Sequence, residues 1–273
     1  MQVVRTVKQL REARSNLSGP LCLVPTMGAL HDGHLSLVTI AREHVGTAGH
    51  VAASVFVNPT QFNDPNDLAA YPQPIEDDLA KLESAGVDLV FNPPAGEVYP
   101  ADELEVAVDV PALTRVLEGE HRPGHFAGVC RVVLKLFNLV QPTAAVFGSK
   151  DFQQLRIIET MTAGLNLPID ILRAPIVRDP DGLAMSSRNV RLSTDARQQA
   201  LAIPQALAAA ADDDAPVDTM ERVLTEAGLA VDYAACVDPF TLQPTGGRPA
   251  LLAIAATAGG VRLIDNRLLP AAS

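Results

Sequence analysis

Residues 25–34 read PTMGALHDGH and lie between the apolar run Leu21-Cys22-Leu23-Val24 and a segment with apolar positions at helical spacing, Leu35, Val38, Ala41 and Val45. A strand, a glycine-bearing loop and a helix start in that order restrict the chain to an α/β fold that presents a helix N-terminus to solvent. First-turn N–H groups have no intrahelical partner and the helix dipole adds partial positive charge, so the loop favours an anion. Asp32 is placed to cap the helix. His31 and His34, three residues apart, face one ligand, and two imidazoles beside unpaired N–H groups suit the charge that builds on a phosphoryl group. A bare H-x-x-H is most often two surface histidines, but the strand-loop-helix context favours a nucleotide-phosphate site.

The length of 273 residues predicts two modest domains. A formal charge of −11 argues against a general nucleic-acid surface, which needs clustered Lys and Arg, while leaving room for a local cationic cleft. Cys22, Cys130 and Cys236 are widely spaced and lack metal-ligand spacing, so they read as free thiols in a reducing compartment. Arg5, Lys8, Arg11 and Arg14 fall in a helical pattern without an apolar signal core, and no stretch approaches a membrane-spanning length. These features predict a cytoplasmic protein with no nucleic-acid or membrane partner.

Strand patterns at 21–24, 51–57, 88–91, 144–147 and 169–177 alternate with helix patterns, among them 6–16, 75–86 and 153–163. They predict a doubly wound, Rossmann-like parallel sheet over residues 1–176, followed by a smaller C-terminal α+β domain over 177–273. An edge strand is expected at 106–110 and a proline-rich flap at 64–74. The carboxyl ends of parallel strands carry ligand loops, which places Asn58 and Gln61 near the first site. Arg122 and His125 belong to a second glycine-rich loop that opens an apolar helix through Val132, Leu136 and Val140. Lys150 is a lone ammonium at a strand-to-helix junction, with no P-loop motif around it. Asp77 and Asp78 sit in a first helical turn, where acidic residues also favour the dipole. The loop 178–189 offers Ser and Arg donors able to close on a polyphosphate. Beyond it come one alanine-rich helix to about Ala211, an acidic break at 212–214, a helix near 217–227, and strands at 229–237, 250–256 and 261–264.

The motifs PTMGALHDGHLSLV, FVNPTQF, RPGHF, KLFN, GSKDFQQL, DGLAMSSRN and RLIDN stand in this order, and with them the chain resembles the bacterial pantoate–β-alanine ligases along nearly its whole length. The H-x-G-H element alone points only to the wider nucleotidyltransferase group, which includes class I aminoacyl-tRNA synthetases and small cytidylyltransferases. The resemblance implies a two-step reaction. ATP and pantoate form pantoyl adenylate and pyrophosphate with Mg²⁺, and the β-alanine amine then attacks the acyl carbon and releases AMP.

It further implies an ATP site made of Thr26, Met27, Gly28, His31, Gly33, His34, Gly148, Lys150, Asp151, Val177, Met185, Ser186, Ser187 and Arg188. Within it His31, His34, Lys150 and Ser186 to Arg188 form the catalytic set, with His34 as a candidate proton donor. Gln61 and Gln154 would hold pantoate, with Asn58, Arg122 and His125 close by, and Gln61 would also lie beside β-alanine. Asp77 and Asp78 match the acidic pair associated with the metal, Asp78 being the better match, and a homodimer is implied. Ser149 and Phe152 stand where the family often has Glu and Tyr. Arg131 stands where Thr is expected and puts a charge on an apolar helix, leaving its partner open. Among alternatives, a tRNA synthetase is opposed by the acidic charge and the lack of a tRNA-binding domain. Another small-molecule nucleotidyltransferase would not need GSKDFQQL and SSRN together, and a non-catalytic nucleotide-binding protein is not favoured by any missing site residue.

Overall fold

The computed structural model describes residues 1–63 and 65–271. The chain opens with β1 (Gln2–Val4), α1 (Val7–Ser15), β2 (Leu21–Thr26), α2 (Asp32–Val45) and β3 (His50–Val55). Next come α3 (Pro65–Ala69), α4 (Ile75–Ser84), β4 (Leu89–Phe91) and the short α5 (Ala95–Val98), α6 (Pro111–Thr114) and α7 (Glu118–His121). The long α8 (His125–Val140), β5 (Ala144–Gly148), α9 (Phe152–Gly164) and β6 (Asp170–Ala174) complete the first part. The rest holds α10 (Thr194–Ala200), α11 (Ala202–Ala209), α12 (Pro216–Glu226), β7 (Ala230–Val237), β8 (Ala250–Ala258) and β9 (Val261–Leu269).

Strands β1 to β6 form one parallel sheet in the order β1-β4-β3-β2-β5-β6. From β2 the chain winds one way through β3 and β4, then returns to add β5 and β6 on the other side. The switch point therefore lies between β2 and β5, and the crevice at their carboxyl ends is where such sheets bind ligands. Alternation along the strands divides the core. Leu21, Leu23, Ala52, Leu89, Phe91, Ala145 and Phe147 face a cluster shared with α1, α8 and α9. Cys22, Val24, Val51, Ala53, Val90 and Val146 face α2 and α4.

Helix α1 begins where the sequence places it, because Thr6 and Gln9 form a reciprocal cap: Gln9 N donates to Thr6 Oγ1 and Thr6 N to Gln9 Oε1, both at 3.2 Å. The short β1 before it was not expected. It pairs with β4 and fills the sheet edge, so the strand expected at 106–110 does not form. The single alanine-rich helix is also corrected. It divides at Leu201 into α10 and α11, since Pro204 in the first turn of α11 has no N–H and crowds the carbonyl of Ala200. In the 64–74 segment, residues 65–69 are helical and Asp64 lies outside the described residues.

Strands β7, β8 and β9 form an antiparallel sheet. Ala250, Leu252, Ile254 and Ala256 of β8 pack with α10, α11 and α12, whereas Leu251 and Ala253 join the cluster that holds α8 and α9. Strand β8 is thus buried on both faces and joins the small sheet to the core that holds α8 and α9. No described helix is long and apolar enough to cross a membrane.

Candidate active site

The loop after β2 turns through two residues of positive φ, Gly28 at 86° and Ala29 at 52°. Asp78, with no exposed surface, accepts N–H bonds from Ala29 at 2.8 Å and Leu30 at 2.7 Å. A Cβ at Gly28 would come within 2.8 Å of Asp78 Oδ2, so glycine is needed there for both conformation and space. Lys81 Nζ donates to Leu30 O at 2.8 Å. The expected cap is corrected: His31, extended at φ −132°, is the N-cap of α2, and Asp32 is its first helical residue, contributing charge in the first turn.

The imidazoles of His31 and His34 lie 4.1 Å apart between ring centroids. Burial, followed by the neighbouring His31, Lys150 and Lys81, pushes His34 down to about 3. Burial and Lys150 also lower His31. Both rings are therefore neutral at pH 7. His34 Nδ1 accepts the His31 N–H at 3.4 Å, which leaves the ring proton on Nε2. His34 is thus a hydrogen-bond donor rather than a cationic acid.

Beside it lies a cavity of about 180 Å³, lined by Thr26, Met27, His34, Ser54, Asn58, Gln61, Tyr71 and Gln154 on its polar side. Phe56, Val129, Val132, Val133, Leu136 and Phe147 form its apolar wall. Asn58 is 1% exposed and organises the floor. Its Nδ2 donates to Gln61 Oε1 at 2.9 Å and Gly128 O at 3.2 Å, and its Oδ1 accepts from Thr60 and Tyr99 hydroxyls at 2.9 Å each. A Cβ at Gly128 would stand 2.4 Å from Thr60 O, so glycine lets α8 press against this turn. Among the described residues Gln61 Nε2 donates only to Met27 Sδ at 3.3 Å, a weak acceptor, and is available for a stronger one.

Arg122 and His125 sit one layer behind Gln61 and do not line the cavity. His125 is 3% exposed; its Nδ1 donates to Gln61 O at 2.7 Å and its Nε2 accepts from Arg122 Nη1 at 3.2 Å. Burial and the adjacent guanidinium push His125 down to about 4, which fits this neutral tautomer. Their role is to hold the Gln61 backbone.

The turn after β5 brings Gly148 to Asp151 to the same sheet edge. Asp151 caps α9 by accepting from Gln154 N at 3.1 Å, and burial raises its carboxyl above the usual range. Lys150 is near enough to depress both histidines, and burial lowers the Lys150 ammonium itself. From the C-terminal part, residues 177–185 form a hairpin in which Met185 N donates to Val177 O at 3.0 Å. A Cβ at Gly33 would lie 2.8 Å from His31 Cε1 and 3.6 Å from Met185 Cβ, which places this hairpin over the histidines. Arg188 and Arg191 both reach Asp67 of α3, at 3.3 and 3.4 Å. The Ser186 to Arg188 loop is thereby tied to the 65–71 segment across the cleft.

Asp77 is exposed on α4, whereas Asp78 is buried with each oxygen taken by a loop N–H. The adjacent pair does not converge, and the described residues hold no group of three metal-ligating side chains. By themselves these two carboxylates do not form a closed metal site, and a Mg²⁺ carried on nucleotide phosphates would need few protein ligands. Arg131 has its partner: its guanidinium lies 4.8 Å from the Tyr99 ring centroid and pairs with Glu103 at 3.4 Å and Glu105 at 3.2 Å.

Sequence reasoning missed Ser54, Lys81 and Tyr99, whereas Asp67 lies in the segment expected as a flap. Ser54 sits inside an apolar strand pattern, yet its Oγ is buried without a partner among the described residues, and the residue lines the cavity. A serine interrupting such a run was the one available signal.

Comparison with known proteins agrees with this geometry. The sequence profile of the family described as pantoate-beta-alanine ligase matches residues 2–268. The chain is 50% identical to a pantothenate synthetase of Acidothermus cellulolyticus over 97% of its length and 90% of the relative's. Among solved structures, a pantothenate synthetase from Thermus thermophilus superposes with a TM-score of 0.92 at 42% identity, covering 98% of this chain and 99% of that one. The pantoate-beta-alanine ligase of Francisella tularensis, complexed with beta-gamma ATP and beta-alanine, gives a TM-score of 0.86 at 34% identity, over 98% and 97% of the two chains. With its fold and nearly its whole length matched, this chain belongs to the pantoate–β-alanine ligase family, enzymes that form a carbon–nitrogen bond.

Proposed function

We propose that the chain condenses pantoate with β-alanine, driven by ATP, in two half-reactions within one cleft. The observation that carries this reading is that His34, at the phosphate-binding helix start, lines the same cavity as Gln61 and Gln154. In the first half-reaction a pantoate carboxylate oxygen attacks the α-phosphorus of ATP and pyrophosphate leaves. Gln61 Nε2 and Gln154 hold pantoate by its oxygens, and Val129, Val132 and Leu136 take its two methyl groups. His31, His34, Lys150 and the Ser186, Ser187 and Arg188 donors meet the charge that builds on the phosphates. Thr26, Met27, Gly28, Gly33, Gly148, Asp151, Val177 and Met185 form the nucleotide cradle. Mg²⁺ would enter with ATP and would offset the charge of its phosphates.

In the second half-reaction the β-alanine amine, beside Gln61, attacks the acyl carbon. The C–N bond forms, the bond to the phosphate oxygen breaks, AMP departs and the amine loses a proton. A carboxylate is a poor acyl donor until adenylated, and the residues from 177 onward act as the lid that keeps water from the adenylate. The free cysteines Cys22 and Cys130, both buried, support a reducing, cytoplasmic setting. Leu104 and Val106, 87% and 61% exposed, offer an apolar surface for a homodimer. The test of the reaction is isotope exchange between pyrophosphate and ATP. Exchange is expected only with pantoate present, and AMP only after β-alanine is added; exchange without pantoate, or none at all, overturns the reading.

A further inference from the structure

Two adjacent residues of β9 hold two loops of the cleft. Asp265, 3% exposed, accepts from Arg178 Nη1 at 2.6 Å and Nη2 at 3.0 Å. Arg178 begins the hairpin that leads to Ser186 and Arg188, and also donates to Gly182 O at 3.1 Å. Asn266, 7% exposed, donates through Nδ2 to Ser149 O and to Lys150 O, both at 2.9 Å. Successive side chains of a strand diverge, so this one pair reaches two separate loops.

Lys150 makes no side-chain hydrogen bond or ion pair of its own among the described residues, so its aim depends on the backbone that carries it. That backbone is a single 3₁₀ turn, Ser149–Asp151. Asn266 uses both amide hydrogens on two consecutive carbonyls of the turn. Aspartate has the same shape but no donor, and would set a carboxylate against those carbonyls.

We propose that Asn266 is a positioning residue for adenylation: by clamping the 149–151 turn from the C-terminal sheet, it fixes the point from which Lys150 meets the phosphates of ATP. The inference rests on the reading of Lys150 as a phosphate ligand. Displacement of a reacting or stabilising group by about 1 Å costs on the order of 10²-fold in rate, and loss of the clamp frees the turn to move by that much.

The test compares Asn266→Ala and Asn266→Asp in the full-length enzyme and in the Lys150→Ala background. The readouts are kcat/KM for ATP in pyrophosphate exchange, KM for pantoate, amine transfer from supplied pantoyl adenylate, and Tm. Asn266→Ala is expected to lower kcat/KM for ATP on the order of 10²-fold while leaving KM for pantoate and amine transfer at the parent values. In the Lys150→Ala background the same substitution should have little further effect, the non-additivity of residues that act through one another. Equal losses in both backgrounds, or a lower Tm with unchanged kinetics, would overturn the proposal. Should Asn266→Ala fail to fold, Asn266→Ser, which keeps one donor, carries the same comparison. Wild-type exchange in Lys150→Ala alone would instead refute the phosphate reading of Lys150, an outcome separate from the clamp.

Discussion

Replacing Asp78 with Asn separates a brace from a metal ligand. In the native chain a fully buried carboxylate accepts the Ala29 and Leu30 N–H groups at 2.8 and 2.7 Å. Asn keeps one acceptor oxygen and turns an NH₂ toward the other N–H, so one bond to a charged acceptor is lost and a buried donor is left unmatched. Such a loss costs about 2–3 kcal/mol. For a chain of this size each kcal/mol lowers Tm by about 2–4 °C, giving a fall of about 4–12 °C. The loop also holds Ala29 at φ 52°, a conformation that disfavours residues with a Cβ, so the brace offsets strain that the variant would release. Relaxation of the loop misplaces the donors of α2 and should reduce adenylation on the order of 10²-fold. The assay is thermal unfolding together with pyrophosphate exchange across a Mg²⁺ titration. An unchanged Tm with activity restored by excess Mg²⁺ would refute the brace and assign Asp78 to the metal.

Gly128→Ala forces a Cβ to within 2.4 Å of Thr60 O, so α8 must retreat from the turn that carries Asn58 and Gln61. We expect a loss of about 1–3 kcal/mol of stability and a raised KM for pantoate with KM for ATP near the parent value, checked by urea unfolding and steady-state kinetics. Stability should also fall with acidity. His125 and His34 have folded-state values pushed down to about 4 and about 3, so below their ordinary value near 6.5 the unfolded chain binds more protons than the folded one. Their contribution is complete above about pH 6.5 and is lost as pH falls toward 4 and 3. Urea titrations at about pH 7 and about pH 5 should show the decline, and His125→Asn should flatten it; an unchanged slope would count against a buried neutral His125.

The parallel sheet was legible because buried parallel strands read as apolar runs, and Leu21 to Val24, Val51 to Val57 and Ala144 to Phe147 do so. The three-residue β1 was not, because Gln2 to Val4 has too few side chains to show a period, and it exists by pairing with β4. The strand expected at 106–110 carries the right residue types, but its place in the sheet was taken. Propensity is local, whereas occupancy of an edge depends on the whole chain.

At the site, the chemistry was already written in short stretches of sequence. PTMGALHDGH carried the glycine turn and the two histidines at the start of α2, and GSKDFQQL and DGLAMSSRN carried Lys150 and the Ser186 to Arg188 loop, since residue type and strand-loop-helix order are encoded within a few positions. Which of those residues meet the cavity and which support it depended on tertiary contacts. Asp78 braces residues 29–30 by accepting their N–H groups, and His125 supports Gln61 through its carbonyl. Asn266, 116 positions from Lys150, reaches that residue's backbone. Such contacts join segments far apart in sequence, and a local pattern carries no information about which buried donor will find which acceptor once the core has closed.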